Sequence, residues 1–178
     1  MAIERLIQFF IMKEIEIIQD TDLAISVMHG VATWMESQGM NLSKWWQPQN
    51  MNRKFLLQHT EPDEYYVVLA NGKLAASVIL QDSERNQSWK SVDGDNPQKA
   101  LYVHWLCVSR GFAGQGYTGE MIGFAQKEAR KRGLTLLRLD TNANEEKLCK
   151  LYEGLGFQLV GTDQETDHKT AFYQKTAT

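Results

Sequence analysis

The apolar and polar residues of the chain follow two different periods, and these periods predict an alternation of strands and helices. Lys13 to Gln19 alternates Glu with Ile, which is typical of a strand with one buried face. From Ala24 to Met35 the apolar residues recur at helical spacing, which predicts an amphipathic helix. Two β-rich runs, Tyr65 to Leu69 and Leu74 to Leu80, flank Asn71-Gly72 and predict a hairpin.

The rest of the chain keeps a regular order of strand and helix. A polar loop at Asp82 to Gln98 precedes a predicted strand, helix, strand, helix and two final strands. These elements are Leu101 to Val108, Tyr117 to Arg132, Leu134 to Asp140, Glu145 to Leu155, Phe157 to Gly161 and Lys169 to Gln174. A strand, helices and a hairpin followed by a βαβαβ tail indicate an α+β fold.

Composition narrows the class of protein and its partners. The chain has 178 residues, of which 43% are hydrophobic and 23% charged, as in one soluble globular domain. The net charge is -3 and no basic stripe is present, which argues against a nucleic-acid partner. Cys107 and Cys149 lack metal-ligand spacing, so we expect reduced thiols, no metal site and a cytoplasmic protein. The composition leaves a homodimer open.

An apolar run near the N-terminus, Leu6 to Met12, is the one segment that suggests a membrane. It is shorter than the roughly 20 residues of a transmembrane helix and lacks the features of a signal peptide, so we expect no membrane partner. A strand pattern begins directly after Met12. We therefore predict that residues 1–11 are an appendage and that residues 12–178 form a single domain.

Glycines lie between the Leu101 to Val108 strand and the next helix, which is the arrangement of an anion site. Small residues let the backbone approach a phosphate, and the first N–H groups of a helix lack intrahelical acceptors. The segment Gly114 to Gly119 fits G-x-G-x-x-G, with Asp140 at the end of the following strand, as in dinucleotide-binding enzymes. However, Ser109 to Ala113 intervene where a dinucleotide loop turns at once. A nicotinamide-binding oxidoreductase stays open as an alternative.

Two motifs resemble those of the GNAT N-acetyltransferases. Val108 followed by Ala113-Gly114-Gln115-Gly116-Tyr117-Thr118 resembles the acyl-CoA loop of that family, and Leu151-Tyr152-Glu153-Gly154-Leu155-Gly156-Phe157 resembles its second motif. The resemblance implies a mixed, mostly antiparallel sheet flanked by helices. It also implies an enzyme that moves an acetyl group from acetyl-CoA directly to a primary amine of a small molecule or peptide. A non-catalytic acyl-CoA-binding sensor is a second alternative.

The resemblance also implies roles for particular residues. The expected cofactor-binding residues are Leu106, Cys107, Val108, Ala113, Gly114, Gln115, Gly116, Tyr117, Thr118 and Asn144. Ala113, Thr118 and Glu145 replace residues that are more usual in the family. Tyr152 is the expected general acid, because a phenol can protonate a thiolate of similar basicity. His104 is the candidate base, and strand alternation predicts that it shares a face with Tyr102, Leu106 and Val108.

Aromatic and acidic residues outside the two motifs are weaker candidates for an acceptor pocket. They are Trp34, Trp45, Trp46, Trp89, Glu61, Asp63 and Glu64. We expect Trp34 to pack in the core, Trp89 to lie exposed in a polar loop, and the three acids to form a solvated loop end. The pair Trp45-Trp46 is the better candidate, because two adjacent indoles are not easily buried on one face.

Overall fold

A computed structural model describes residues 14–85, 87–164 and 168–177, and it contains one seven-stranded sheet. The strands are β1 Ile15–Gln19, β2 Tyr65–Ala70, β3 Lys73–Gln81, β4 Leu101–Val108, β5 Leu136–Asn142, β6 Gln158–Gln164 and β7 Lys169–Thr176. The α-helices are α1 Thr21–Ser37, α2 Arg53–Leu56, α3 Lys90–Asp93, α4 Tyr117–Lys131 and α5 Glu146–Gly154. The predicted appendage and Lys13 lie outside the described residues.

The sheet is mixed and mostly antiparallel, as the sequence predicts. Its spatial order is β1-β2-β3-β4-β5-β7-β6, and only the β4–β5 pair is parallel. The last strand is therefore inserted between β5 and β6. No helix in the described part of the chain has both the length and the apolar character needed to cross a membrane.

Two cores form on opposite faces of the sheet, because alternate residues of each strand point to opposite sides. Tyr66 and Val68 of β2 belong to the core beneath α4, whereas Tyr65 and Val67 belong to the core beneath α1. We call these the α4-side core and the α1-side core. The α1 helix begins after Asp20, whose side chain accepts a hydrogen bond of 2.9 Å from the N–H of Leu23, as an N-cap does.

Trp89, in the predicted polar loop between β3 and β4, belongs to a third core, so the prediction that it is exposed is wrong. Trp89 is 2% exposed and packs on Tyr102 and Phe172. The guanidinium of Arg138 lies 4.4 Å from its ring centroid. An indole surrounded by two aromatic rings and a cation leaves water even when its sequence neighbours are polar.

Candidate active site

The parallel strands β4 and β5 separate soon after they begin. Both strands are fully described, and they pair only at Leu101 with Leu137 and at Tyr102 with Arg138. Beyond these pairs the β5-facing edge of β4 has no strand beside it. We call this opening the split. A row of backbone N–H and C=O groups along such an edge can pair with an extended ligand, as a further strand would.

On its other side, β4 carries a β-bulge opposite β3. Ser77 pairs with Cys107 and Ile79 with His104, so one residue of β3 faces two residues of β4, Trp105 and Leu106. Trp105 has a φ of +47°, which is rare for a bulky side chain. Its indole Nε1 donates a hydrogen bond of 2.9 Å to the carbonyl oxygen of Trp45.

The bulge changes which side chains share a face, and the prediction that His104 lies with Leu106 and Val108 is wrong. Leu106 and Val108 pack against the α4-side core. The His104 ring instead stacks on Tyr102 at 6.3 Å and contacts Trp105, on the other face. An extra residue in a strand reverses the alternation that follows it, and nothing in the local sequence marks this position.

The glycine loop joins the end of β4 to the N-terminus of α4. Gly114 and Gly116 have φ values of +74° and +87°, which glycine adopts without strain. A Cβ at either position would have no atom within 4 Å, so the loop backbone borders open space. Gly116 caps α4 without a side-chain hydrogen bond. The Tyr117 side chain is buried in the α4-side core, which leaves the backbone of this turn to meet a ligand.

Tyr152 lies on α5, where its side chain is only 6% exposed. Burial raises the pKa of Tyr152, and Asp140, Cys107 and Cys149 raise it further. The phenol is therefore protonated at neutral pH. Its ring packs against Phe157 and Tyr173 in the α4-side core, with ring centroids 5.9 and 6.3 Å away.

Cys107 and Asn144 are two further predicted residues, and they lie in different surroundings. The Cys107 thiol is buried on the α1 side, 3.3 Å from the Ser77 hydroxyl, and burial raises its pKa to about 12. A thiol with such a pKa is a poor nucleophile at neutral pH. Asn144 is exposed in the turn between β5 and α5, where its N–H bonds to the Asn142 side chain at 2.9 Å.

Asp140 is a candidate site residue that the sequence suggested only for dinucleotide binding. Two residues before it, Arg138 pairs with Tyr102 of β4. Continuing that register by two residues places Asp140 opposite His104 across the split. Its charge acts on the Tyr152 hydroxyl. The pairing of β4 with β5 would have revealed this position, but strand pairing is not encoded in local periodicity.

Trp45 belongs to an aromatic cluster on the α1 side of the sheet. Its ring centroid lies 4.9 Å from His59, 5.9 Å from Phe55 and 5.9 Å from Trp105. Trp46 is partly buried against the α1-side core. The expected aromatic wall therefore forms next to the bulge.

The expectations for Trp34 and Glu64 are wrong. Trp34 is only partly buried, and the guanidinium of Arg110 covers its ring at 4.4 Å. Glu64 is buried, and it forms an ion pair with Arg85 and accepts a hydrogen bond of 2.9 Å from Gln81. A carboxylate is stable in that position because its negative charge is paired. Of the three acids, Glu61 and Asp63 are exposed as expected.

Comparison with known proteins gives one consistent family. Residues 31–157 match the Acetyltransferase (GNAT) family. The chain is 25% identical over 151 residues to an uncharacterized N-acetyltransferase, YesJ, of Bacillus subtilis, covering 84% of this chain and 83% of that protein. It is 30% identical over 97 residues to a streptothricin acetyltransferase of Escherichia coli, covering 51% of each.

Solved structures agree with the fold. An acetyltransferase of the GNAT family from Listeria monocytogenes superposes with a TM-score of 0.69 at 24% identity, over 92% of this chain and 94% of that chain. A proposed streptothricin acetyltransferase of Bacillus anthracis, in complex with acetyl coenzyme A, gives a TM-score of 0.52 at 19% identity, over 63% and 61% of the two chains.

Proposed function

Because the chain belongs to the GNAT acetyltransferase family, we propose that it moves an acetyl group from acetyl-CoA directly to a primary amine of a small molecule or peptide. Family membership makes it an acetyl-CoA-dependent acyltransferase. One observation supports the finer proposal: the split runs along β4, the end of β4 leads into the glycine loop, and Tyr152 is close enough to Cys107 of β4 for the two to interact electrostatically. The mostly antiparallel sheet removes the nicotinamide alternative, which requires a parallel dinucleotide-binding sheet.

The backbone is the proposed holder of the cofactor. The β4 edge at Leu106, Cys107 and Val108 offers N–H and C=O groups to the amides of the pantetheine arm. The loop from Ala113 to Thr118 offers the N-terminus of α4 to the pyrophosphate. Ala113 has no positively charged side chain, so backbone N–H groups would bind the pyrophosphate. Asn144 lies in the turn at the other wall of the split.

The proposed reaction is an attack by the amine nitrogen on the thioester carbonyl carbon. A C–N bond forms, the C–S bond breaks, and its electron pair leaves on sulfur. A backbone N–H at the β4 bulge stabilises the negative charge that develops on the carbonyl oxygen. Tyr152 donates its proton to the departing thiolate. The amine proton goes to His104 or to water, and the products are an amide and free CoA.

The proposed acceptor site lies on the face of the split that carries His104. The register of the two β4–β5 pairs, continued by two residues, matches Asp140 to His104, and a carboxylate there attracts an ammonium group. The aromatic cluster around Trp45 and Trp105 forms the neighbouring wall. These groups favour a cationic amine as the acceptor.

The test combines cofactor binding with turnover. Acetyl-CoA and CoA, but not NADH, should raise the melting temperature, because a ligand that binds only the native state stabilises it. Release of free thiol is then measured with streptothricin, spermidine and a short peptide with a free N-terminus. Absence of a thermal shift with either CoA species would contradict the proposal, and cofactor binding without turnover of any amine would favour the sensor.

A matched pair of variants tests the proposed acid. Tyr152→Phe should lower kcat about 100-fold or more and leave the acetyl-CoA thermal shift unchanged. Tyr66→Phe is the control, because Tyr66 is also buried but its hydroxyl accepts from Arg132 at 3.2 Å. Equal kcat values for the two variants would remove Tyr152 from the mechanism.

A further inference from the structure

Trp105 has an unfavourable backbone conformation at the position that the proposed reaction needs most. Its φ of +47° lies in the left-handed region, where glycine is the residue without a steric penalty. Yet the chain carries its bulkiest side chain there, in the bulge between His104 and Leu106. Strained backbone persists only where surrounding contacts hold it, and such positions concentrate at functional sites.

The contacts that hold Trp105 come from the segment between α1 and α2. Its indole Nε1 donates to the Trp45 carbonyl oxygen at 2.9 Å. The two indole rings meet edge to face, with centroids 5.9 Å apart and an angle of 76° between them. Trp45 is itself held against Phe55 and His59, with ring centroids at 5.9 Å and 4.9 Å.

This contact joins two parts of the proposed site. On one side is the bulge, whose backbone leaves the β3 ladder and is the proposed donor to the thioester carbonyl. On the other side is the segment of residues 38–52, which brings Trp45 against the Trp105 ring, and that ring also contacts His104. The side chain of Trp105 is therefore the bridge between the acetyl donor and the acceptor wall.

We propose that Trp105 is a positioning residue whose indole, bonded to the carbonyl of Trp45, fixes the bulge so that a backbone N–H points at the thioester carbonyl. This inference rests on the proposed function. Loss of the indole N–H releases the bulge from the 38–52 segment, so polarisation of the thioester and acceptor affinity fall together. Acetyl-CoA affinity should fall less than kcat, because the glycine loop that holds the pyrophosphate lies outside the bulge.

Three conservative variants separate this role from packing. Trp105→Phe keeps an aromatic ring and removes the N–H donor. Trp45→Phe keeps the backbone carbonyl that accepts the bond. Trp46→Phe changes the adjacent indole in the same 3-10 turn, Lys44–Trp46, outside this contact. In the acetyl-CoA measurement below, in which the acceptor wall takes no part, Trp105→Phe should differ from the unmodified protein and the other two variants should not. We also expect Trp105→Phe to lower kcat about tenfold, the effect of roughly one hydrogen bond, and to raise the KM of the amine.

A spectroscopic measurement tests the inference without knowledge of the acceptor. The carbonyl stretch of acetyl-CoA labelled with 13C at the thioester carbon should fall on binding to the protein. The downward shift should shrink in Trp105→Phe and persist in Trp45→Phe and Trp46→Phe. An undiminished shift in Trp105→Phe overturns the positioning role. Failure of the unmodified protein to bind acetyl-CoA, seen as no thermal shift, overturns the proposed function itself and this inference with it.

Discussion

Removal of one partner from the buried ion pair between Arg138 and Asp93 should be among the most destabilising single substitutions in this fold. The two side chains are 2% and 6% exposed, and two hydrogen bonds of 2.7 and 2.9 Å join them. Arg138 also donates to Gln174 at 2.8 Å. Replacement of Arg138 by Met leaves the Asp93 carboxylate buried without its partner, which costs about 3–5 kcal/mol. For a chain of this size we expect the melting temperature to fall by about 10 °C.

An exposed ion pair in the same chain provides the control. Arg53 and Asp22 meet at 2.8 Å, but their side chains are 50% and 75% exposed. Because water screens this pair, Arg53→Met should cost at most about 1 kcal/mol. The double variant Arg138→Met with Asp93→Leu should recover most of the loss, since no unpaired charge is left in the core. Urea denaturation at pH 7 measures all three free energies of unfolding.

The pH dependence follows from the Asp93 carboxyl. Burial raises its pKa, but the hydrogen bonds from Arg138 and from the Gln98 N–H, with the Arg138 charge, outweigh burial and hold the pKa below its usual value. A lowered native pKa means that the stabilisation is complete above the unfolded pKa and is lost as the pH falls through the native one. Arg138→Met should therefore lose less stability at acid pH than at pH 7. Equal, small losses for Arg138→Met and Arg53→Met would refute this account of burial.

Two further variants test the site. Asp140→Asn should raise the KM of spermidine several-fold more than that of a peptide with one amine, because the carboxylate acts through charge. Asp63→Asn, on the exposed loop, is the control. Equal KM values for Asp140→Asn and the unmodified protein would exclude Asp140 from the acceptor site. Gly116→Ala should cost about 1–2 kcal/mol of stability, because alanine is strained at a φ of +87°, and should also weaken acetyl-CoA binding in a titration. Gly111→Ala in the same loop has an ordinary φ and open space around it, so comparable losses in both variants would contradict the conformational explanation.

Local signals in the sequence predict most elements and the glycine loop. Each of these signals determines the structure of only a few neighbouring residues. They are the helical periods at α1, α4 and α5, the Asn71-Gly72 turn between β2 and β3, and the glycines before Tyr117. Such signals do not depend on the rest of the fold. The acyl-CoA loop motif followed by the Tyr152 motif indicates the GNAT family, and the match of residues 31–157 to that family confirms it.

Prediction from the sequence fails where contacts with distant residues determine the local structure. The bulge at Trp105 is accompanied by a hydrogen bond from its indole to Trp45, which stands 60 positions earlier in the chain. Trp89 is buried because Arg138 and Phe172, far along the sequence, close over it. Asp140 enters the proposed site only through the parallel pairing of β4 with β5, which involves two residues on each strand. None of these contacts can be recognised from the hydrophobic periodicity of the neighbouring residues.

The position of β7 determines when the molecule can finish folding. This strand pairs with β5 through Leu136 to Asn142 and with β6 through Gln158 to Gln164, so it fills a gap between strands that are made earlier on the ribosome. Until residues 169–176 emerge, β5 has an unpaired edge and the helix with Tyr152 lacks the Tyr173 ring beneath it. The α1 half can form while synthesis continues, whereas the wall of the split that carries Asp140 and Tyr152 is completed only after residues 169–176 have been made.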